Sequence, residues 1–164
     1  MKVIVINGLP RSGKDTFVNF CKNSNAKIYN LSTVADIKRK AKLIGWDGQK
    51  DGRGRRLLSD IKDAMTLYDD SPFLSIVDEV KAHINEENSI CFIHCREPEE
   101  IERFVNELNA KTLFIRRAAA DNVVSNHADE RVYDFDYDFV YANDGTLEQL
   151  EKDAISFANW LIKE

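Results

Sequence analysis

The sequence predicts an α/β fold, a parallel sheet with helices on both faces. Three observations carry that expectation. Short apolar runs recur at 2–7, 27–31, 89–95, 112–117 and 137–142, stretches of helical spacing lie between them, and the first element is a strand. Strands that alternate with helices need crossover connections, which lay the helices against the sheet. The five runs predict a five-stranded parallel sheet.

The elements follow in order. Residues 2–7 include Val-Ile-Val-Ile and stop at Gly8, the pattern of a strand buried on both faces. A helix is expected over 15–22, opening at the glycine turn, and a second strand over 27–31. Residues 34–44 form a basic amphipathic helix closed by Gly45, and 47–54, with three glycines, form a loop. Helices are expected over 55–68 and 73–85, divided by Ser71-Pro72, since proline suits a first helical turn. A strand over 89–95 leads to a helix over 98–108, opened by Pro98 and by acids that suit the N-terminal dipole. After the strand at 112–117, residues 118–136 are irregular and polar. The strand at 137–142, the turn Asn143-Asp144-Gly145 and an amphipathic helix over 146–163 close the chain.

Composition narrows the function classes. The 164 residues suit one domain, and no apolar run approaches the roughly 20 residues of a membrane span. The amino-terminal run is too short for a signal peptide, and three cysteines imply no disulfide framework, so a cytoplasmic location is expected. The formal net charge of −5 hides an asymmetry: residues 1–75 hold 14 basic and 8 acidic side chains, residues 76–164 hold 9 and 20. A basic front half on an acidic chain suggests a local anionic ligand. Nucleic acid is a poor fit, because no long basic stripe interleaves with aromatics.

The strongest signal is Gly8-Leu9-Pro10-Arg11-Ser12-Gly13-Lys14-Asp15-Thr16. It is G-x-x-x-x-G-K, directly after an apolar strand and before a helix, the context the motif requires. The glycines allow a tight turn whose backbone N–H groups face a phosphate, and the helix adds its N-terminal partial charge. Gly8, Arg11, Ser12, Gly13 and Lys14 are therefore the expected nucleotide cradle, with Lys14 offsetting charge on the β- and γ-phosphates. Asp15 stands where Ser or Thr commonly ligates Mg²⁺, and a carboxylate can hold that ion directly or through water. Thr16 is left to hydrogen-bond the α-phosphate.

With these residues in view, the chain resembles the P-loop kinases typified by phage deoxynucleoside monophosphate kinases and animal-type phosphomevalonate kinases. The resemblance rests on Ser-Gly-Lys-Asp-Thr at 12–16 and Arg55-Arg56-Leu57-Leu58, on Cys95-Arg96-Glu97-Pro98 with Glu100-Ile101, and on Asn126–Glu130 with Tyr141–Leu147. It implies a P-loop nucleoside triphosphate hydrolase fold and a single kinase domain over 1–164, with a helical acceptor-binding region near 31–88. It also implies ATP and Mg²⁺ as cofactors and phosphoryl transfer to a small phosphorylated acceptor. Arg96 would then grip the acceptor phosphate, and Asn143, Asp144, Gly145 and Thr146 would lie against adenine. His94 and Cys95 stand where that family carries a strand-end acid, which leaves the metal with fewer carboxylates.

Other residues have two readings. Phosphoryl transfer needs positioned positive charge, and arginine binds phosphate oxygens in pairs. Arg53, Arg55 and Arg56 form one group. Arg116 and Arg117 end a strand on the carboxyl edge, where open parallel sheets bind ligands. Arg117 and Arg131 are catalytic candidates, one or the other brought in by a short lid over 118–136; Arg116 and Arg117 are otherwise a surface pair salt-bridged to Asp121 or Glu130. Arg96 touches acceptor or pairs with Glu99 or Glu100. Asp36 is an acceptor-binding carboxylate or an acid in a first helical turn. Cys91, His94 and Cys95 do not make a zinc site, because an extended strand holds Cys91 and Cys95 about 13 Å apart. His127 sits in a polar stretch beside the arginines. Asp134, Asp136 and Asp138 alternate with aromatics, as a half-exposed strand does and as a metal-binding row could.

Overall fold

A computed structural model describes residues 1–49, 51–120 and 131–164. The strands are β1 (Lys2–Asn7), β2 (Lys27–Ser32), β3 (Ser89–His94), β4 (Lys111–Arg116) and β5 (Phe139–Ala142). They form one sheet in the order β2-β3-β1-β4-β5. β1 pairs in parallel with β3 and with β4, and β4 in parallel with β5. With a glycine loop joining β1 to the following helix, this is the P-loop nucleoside triphosphate hydrolase fold that the sequence predicts.

The register explains why β1 is apolar throughout. It lies between β3 and β4, with Ile4 opposite Phe92 and Ile6 opposite Leu113, and Val3 to Asn7 are all buried. Ile4, Ile6, Ile90, Phe92, Leu113 and Ile115 join one core with α1 (Lys14–Cys21) and the last helix, α6 (Leu147–Leu161). Val3 and Val5 point the other way by the two-residue strand period. They are buried too, and α5 (Pro98–Leu108) contacts β1 and β4. Ile101 and Phe104 of α5 are fully buried.

The chain divides into two compact units. The sheet belongs to one, Met1–Asn30 with His83–Glu164; the other is Leu31–Ala82. The second unit contains α2 (Ala35–Leu43), α3 (Gly52–Asp69) and most of α4 (Ser71–His83). Its α2 and α3 share a core of Ile37, Ala41 and Leu58, with Trp46, Ile61 and Met65 against it.

Two element boundaries differ from the sequence reading for physical reasons. The loop expected over 47–54 ends early, because Asp51 caps α3 by accepting from the Gly54 amide at 2.7 Å, so helix begins at Gly52. The last strand begins at Phe139 and not at 137. Ahead of it, the Asp138 carboxylate takes the Thr112 amide at 2.9 Å and the Thr112 hydroxyl at 2.9 Å, and the hydroxyl accepts from the Asp138 amide at 2.8 Å. A side chain thus supplies the pairing that backbone would otherwise make. Asp134 approaches Arg131 at 3.5 Å, so the alternating acids form neither a strand nor a metal row, and no group of three metal-binding side chains occurs among the described residues.

Candidate nucleotide-binding site

The loop between β1 and α1 is curled on itself. The Leu9 carbonyl accepts from the Ser12 amide at 3.1 Å and from the Lys14 ammonium at 3.3 Å. Lys14 is only 9% exposed, so its charge is held inside the loop, on a carbonyl it can exchange for a phosphate oxygen. Ser12 is fully buried, and its hydroxyl has no hydrogen-bond partner among the described residues. An unsatisfied buried hydroxyl costs about 1–3 kcal/mol, so it marks a place for an acceptor atom that a ligand supplies.

Both motif glycines are sterically required. A Cβ at Gly8 would lie 2.5 Å from the Ile115 carbonyl oxygen, and one at Gly13 would collide with the Asn143 amide. Gly13 also sits at φ 96° and precedes the first turn of α1. Arg11 adopts φ 66°, a left-handed conformation that arginine rarely takes and that costs about 1–2 kcal/mol. Such strain concentrates at functional turns. The first turn of α1 then presents Asp15, whose side chain is 86% exposed with one oxygen 3.5 Å from His94 Nδ1.

Fit can be judged from these groups alone. A buried orphan hydroxyl, an ammonium inside a glycine-lined loop and a helix N-terminus suit a nucleotide polyphosphate. Mg²⁺ commonly uses one or two carboxylates together with substrate phosphates, and Asp15 is an exposed carboxylate at the right end of α1. His94, at the end of β3, stands beside it where a second acid is expected from the family resemblance.

The turn after β5 closes against this loop. Asn143, 7% exposed, donates its side-chain amide to the Ser12 carbonyl at 2.8 Å, and its backbone N–H to the Arg116 carbonyl at 2.7 Å. Asp144 accepts from the Ala118 amide at 2.8 Å. Thr146 accepts from the Gln149 amide at 3.2 Å and so caps α6, with Gly145 between the two caps. Asn143 therefore reaches the nucleotide loop through its own side chain.

The remaining candidates fall into separate places. Arg96 follows β3, and Arg116 and Arg117 lie at the end of β4 with exposed side chains, all on the carboxyl edge of the sheet. Arg131 binds Glu99 through both terminal nitrogens, at 3.1 and 2.6 Å, so Glu99 pairs across the chain with Arg131. Asp36, Arg53, Arg55 and Arg56 belong to the helical unit. Asp36 sits in the first turn of α2 within 2.8 Å of Lys40 and 2.5 Å of Arg39, and those two cations hold its carboxyl below the usual range. Arg56 pairs with Asp60 at 2.8 Å. Arg53 lines a cleft of about 480 Å³ with Trp46, Asp47, Asp51 and Leu57. Asp121, His127 and Glu130 lie outside the described residues, as does most of the expected lid.

Sequence reasoning passed over Asn7 and Tyr137. Asn7 is fully buried at the end of β1; its Oδ1 accepts from the Gly8 amide at 2.7 Å and its Nδ2 donates to the Tyr137 hydroxyl at 2.7 Å. The available signal was a polar residue closing an otherwise apolar strand directly before the loop.

Comparison with known proteins gives fold and no family. No family model matches the chain, and no curated protein matches it. Among solved structures, a dephospho-CoA kinase from Campylobacter jejuni aligns at TM-score 0.57 and 12% identity, covering 99% of this chain and 98% of that one. A sugar kinase from a Janibacter species aligns at 0.54 and 11%, covering 95% and 93%. Shikimate kinase from Aquifex aeolicus aligns at 0.52 and 12%, covering 97% of each chain. Identities this low establish a shared fold over nearly the whole length.

Proposed function

We propose that this protein is an ATP-dependent kinase that transfers a γ-phosphoryl group to a small phosphorylated acceptor, a nucleoside or deoxynucleoside monophosphate. The observation that carries the reading is the loop itself: Lys14 buried inside it, with the orphan Ser12 hydroxyl two residues before. That the three structures named above are described as kinases supports phosphoryl transfer as the chemistry of this fold.

The chain's residues divide the work. Bound ATP supplies the phosphoryl group, and Mg²⁺ neutralises charge on its phosphates. Lys14 and the α1 N-terminus hold negative charge as it shifts from the γ-phosphate toward the leaving oxygen. Asp15 is the carboxylate toward the metal. Gly8, Arg11, Ser12, Gly13 and Thr16 line the phosphates, and the Asn143–Gly145 turn lies toward the base. Arg96, at the end of the strand beside β1, grips the acceptor phosphate, and Arg117 and Arg131 bear on the transferred group.

The cleft of the helical unit supports the acceptor class. Taken by itself, that cleft is lined by an indole at Trp46, carboxylates at Asp47 and Asp51 and a guanidinium at Arg53, a mixture that suits a small polar heterocycle. A non-catalytic nucleotide-binding module is the second reading, favoured by His94 in place of a strand-end acid.

The test is ADP formation from ATP and Mg²⁺ across nucleoside and deoxynucleoside monophosphates and phosphomevalonate, with Lys14→Ala as control. We expect a monophosphate to stimulate turnover and the variant to lose at least 100-fold. Nucleotide binding with no stimulated turnover would favour the binding module, and stimulation by phosphomevalonate alone would move the acceptor class.

A further inference from the structure

We propose that Asn7 and Tyr137 are positioning residues that hold the nucleotide loop and the acceptor arginine in register; the inference rests on the kinase reading above. Asn7 spends its side chain on three contacts, two to backbone groups and one to a phenol. Its Oδ1 takes the Gly8 amide at 2.7 Å, the first N–H of the loop. Its Nδ2 donates to the Arg96 carbonyl at 3.3 Å and to the Tyr137 hydroxyl at 2.7 Å. The hydroxyl oxygen accepts that hydrogen bond, and its own O–H donates to the Val132 carbonyl at 2.9 Å. The polarity is fixed: a flipped amide would set an oxygen against the Arg96 carbonyl and an NH₂ against the Gly8 N–H.

The phenol is itself anchored. Its ring stacks on Phe114 at 5.0 Å and 19°, and Phe114 meets Tyr133 edge-on at 5.4 Å. Burial pushes the Tyr137 phenol well above its ordinary range, so it stays a donor at any working pH. The loop's first N–H is thus withheld from phosphate and used to fix where the loop starts, relative to the peptide that carries Arg96.

That relation matters because in-line transfer depends on donor and acceptor being placed together, and a misplacement of about 1 Å can cost about 100-fold. Asn7 links the two supports through one amide. Tyr137 keeps that amide from turning and ties it to the chain at Val132.

Tyr137→Phe is the discriminating variant, since it keeps the stack and removes the hydroxyl. We expect kcat to fall about 10-fold while acceptor KM and ATP affinity stay within about twofold, because the loop's own contacts are untouched. A merely structural role would lower the melting temperature and leave kcat alone. Independently of turnover, the ¹⁵N amide of Glu97, which shares a peptide group with the Arg96 carbonyl, should shift when a non-hydrolysable ATP analogue binds. That shift should be at least halved in Tyr137→Phe and in Asn7→Ser. An unchanged kcat in the phenylalanine variant overturns the proposal, and so does an undiminished or absent Glu97 response. If no acceptor stimulates the wild type, the kinase reading falls and the Glu97 response alone decides whether loop and strand end are coupled.

Discussion

Asn143 donates its side-chain amide to the carbonyl of Ser12 across 2.8 Å, tying the last β-turn to the middle of the nucleotide loop. The same amide occupies the space that a Cβ on Gly13 would need. Glycine at 13 and asparagine at 143 are therefore one structural decision made at two distant positions. Their contact also places the β5–α6 turn beside the loop.

Asn143→Ala should leave the Ser12 carbonyl buried and unpaired. We expect a loss of about 1–3 kcal/mol in stability, read as a lower denaturation midpoint, and at least a several-fold weaker hold on ATP. Gly13→Ala alone should be worse, since it adds left-handed strain to the collision. Pairing Gly13→Ala with Asn143→Ala should recover part of the stability, because the collision is removed while the strain remains. Strictly additive losses would show that the two residues do not share this space.

Asp15→Asn should raise the Mg²⁺ concentration needed for half-maximal ADP formation about 10-fold. Metal-free ATP binding should be unchanged or tighter, since a negative charge near the phosphates is gone. An identical Mg²⁺ titration in the variant would remove Asp15 from the metal.

Asp138 gives a pH-dependent stability. Burial pushes its carboxyl up, but Lys111 at 3.0 Å and the Thr112 amide and hydroxyl outweigh that and leave it below the ordinary value. A carboxyl lowered on folding stabilises above its unfolded pKa, about 3.9, and loses that contribution as pH falls through the folded value. Asp138→Asn should therefore lower the melting temperature by several degrees at pH 6. The gap from wild type should narrow toward pH 3. A gap that stays constant over that range would count against the charge.

All three cysteines are buried and unbonded to one another, and burial pushes the Cys21 thiol up to about 12. The native protein at pH 8 should give almost no reaction with a thiol reagent in minutes, and three equivalents in denaturant. Rapid labelling of Cys95 would show that the end of β3 opens.

The three central strands were legible because burial on both faces forces continuous apolar runs, and β1 and β3 have nothing else to be. The loop was legible because its chemistry needs particular residues at fixed spacing: Gly8, Gly13 and Lys14 cannot be exchanged for look-alikes. Legibility failed where a side chain substituted for backbone. Asp138 replaces a strand bond, Asp51 starts a helix three residues ahead of the charged run, and Asn7 looks like the mere end of a strand. In each case the partner is long-range or depends on an orientation, and composition carries neither. The Arg131–Glu99 pair was hidden for the same reason, since local spacing offered Glu99 to Arg96 instead.

The order of the strands also bears on how the chain is made. β1 emerges first, yet its neighbours are β3, with Lys2 opposite Ile90, and β4, with Ile4 opposite Lys111. A strand buried from Val3 to Asn7 must therefore wait for β3, which begins at Ser89, before it has anything to pair with. Pairings this distant in sequence slow folding and leave a sticky segment exposed meanwhile. The helical unit, by contrast, is contiguous from Leu31 to Ala82 and can form its α2–α3 contacts early. Synthesis at low temperature or with chaperones should raise the yield of folded chain more than any change to the nucleotide loop.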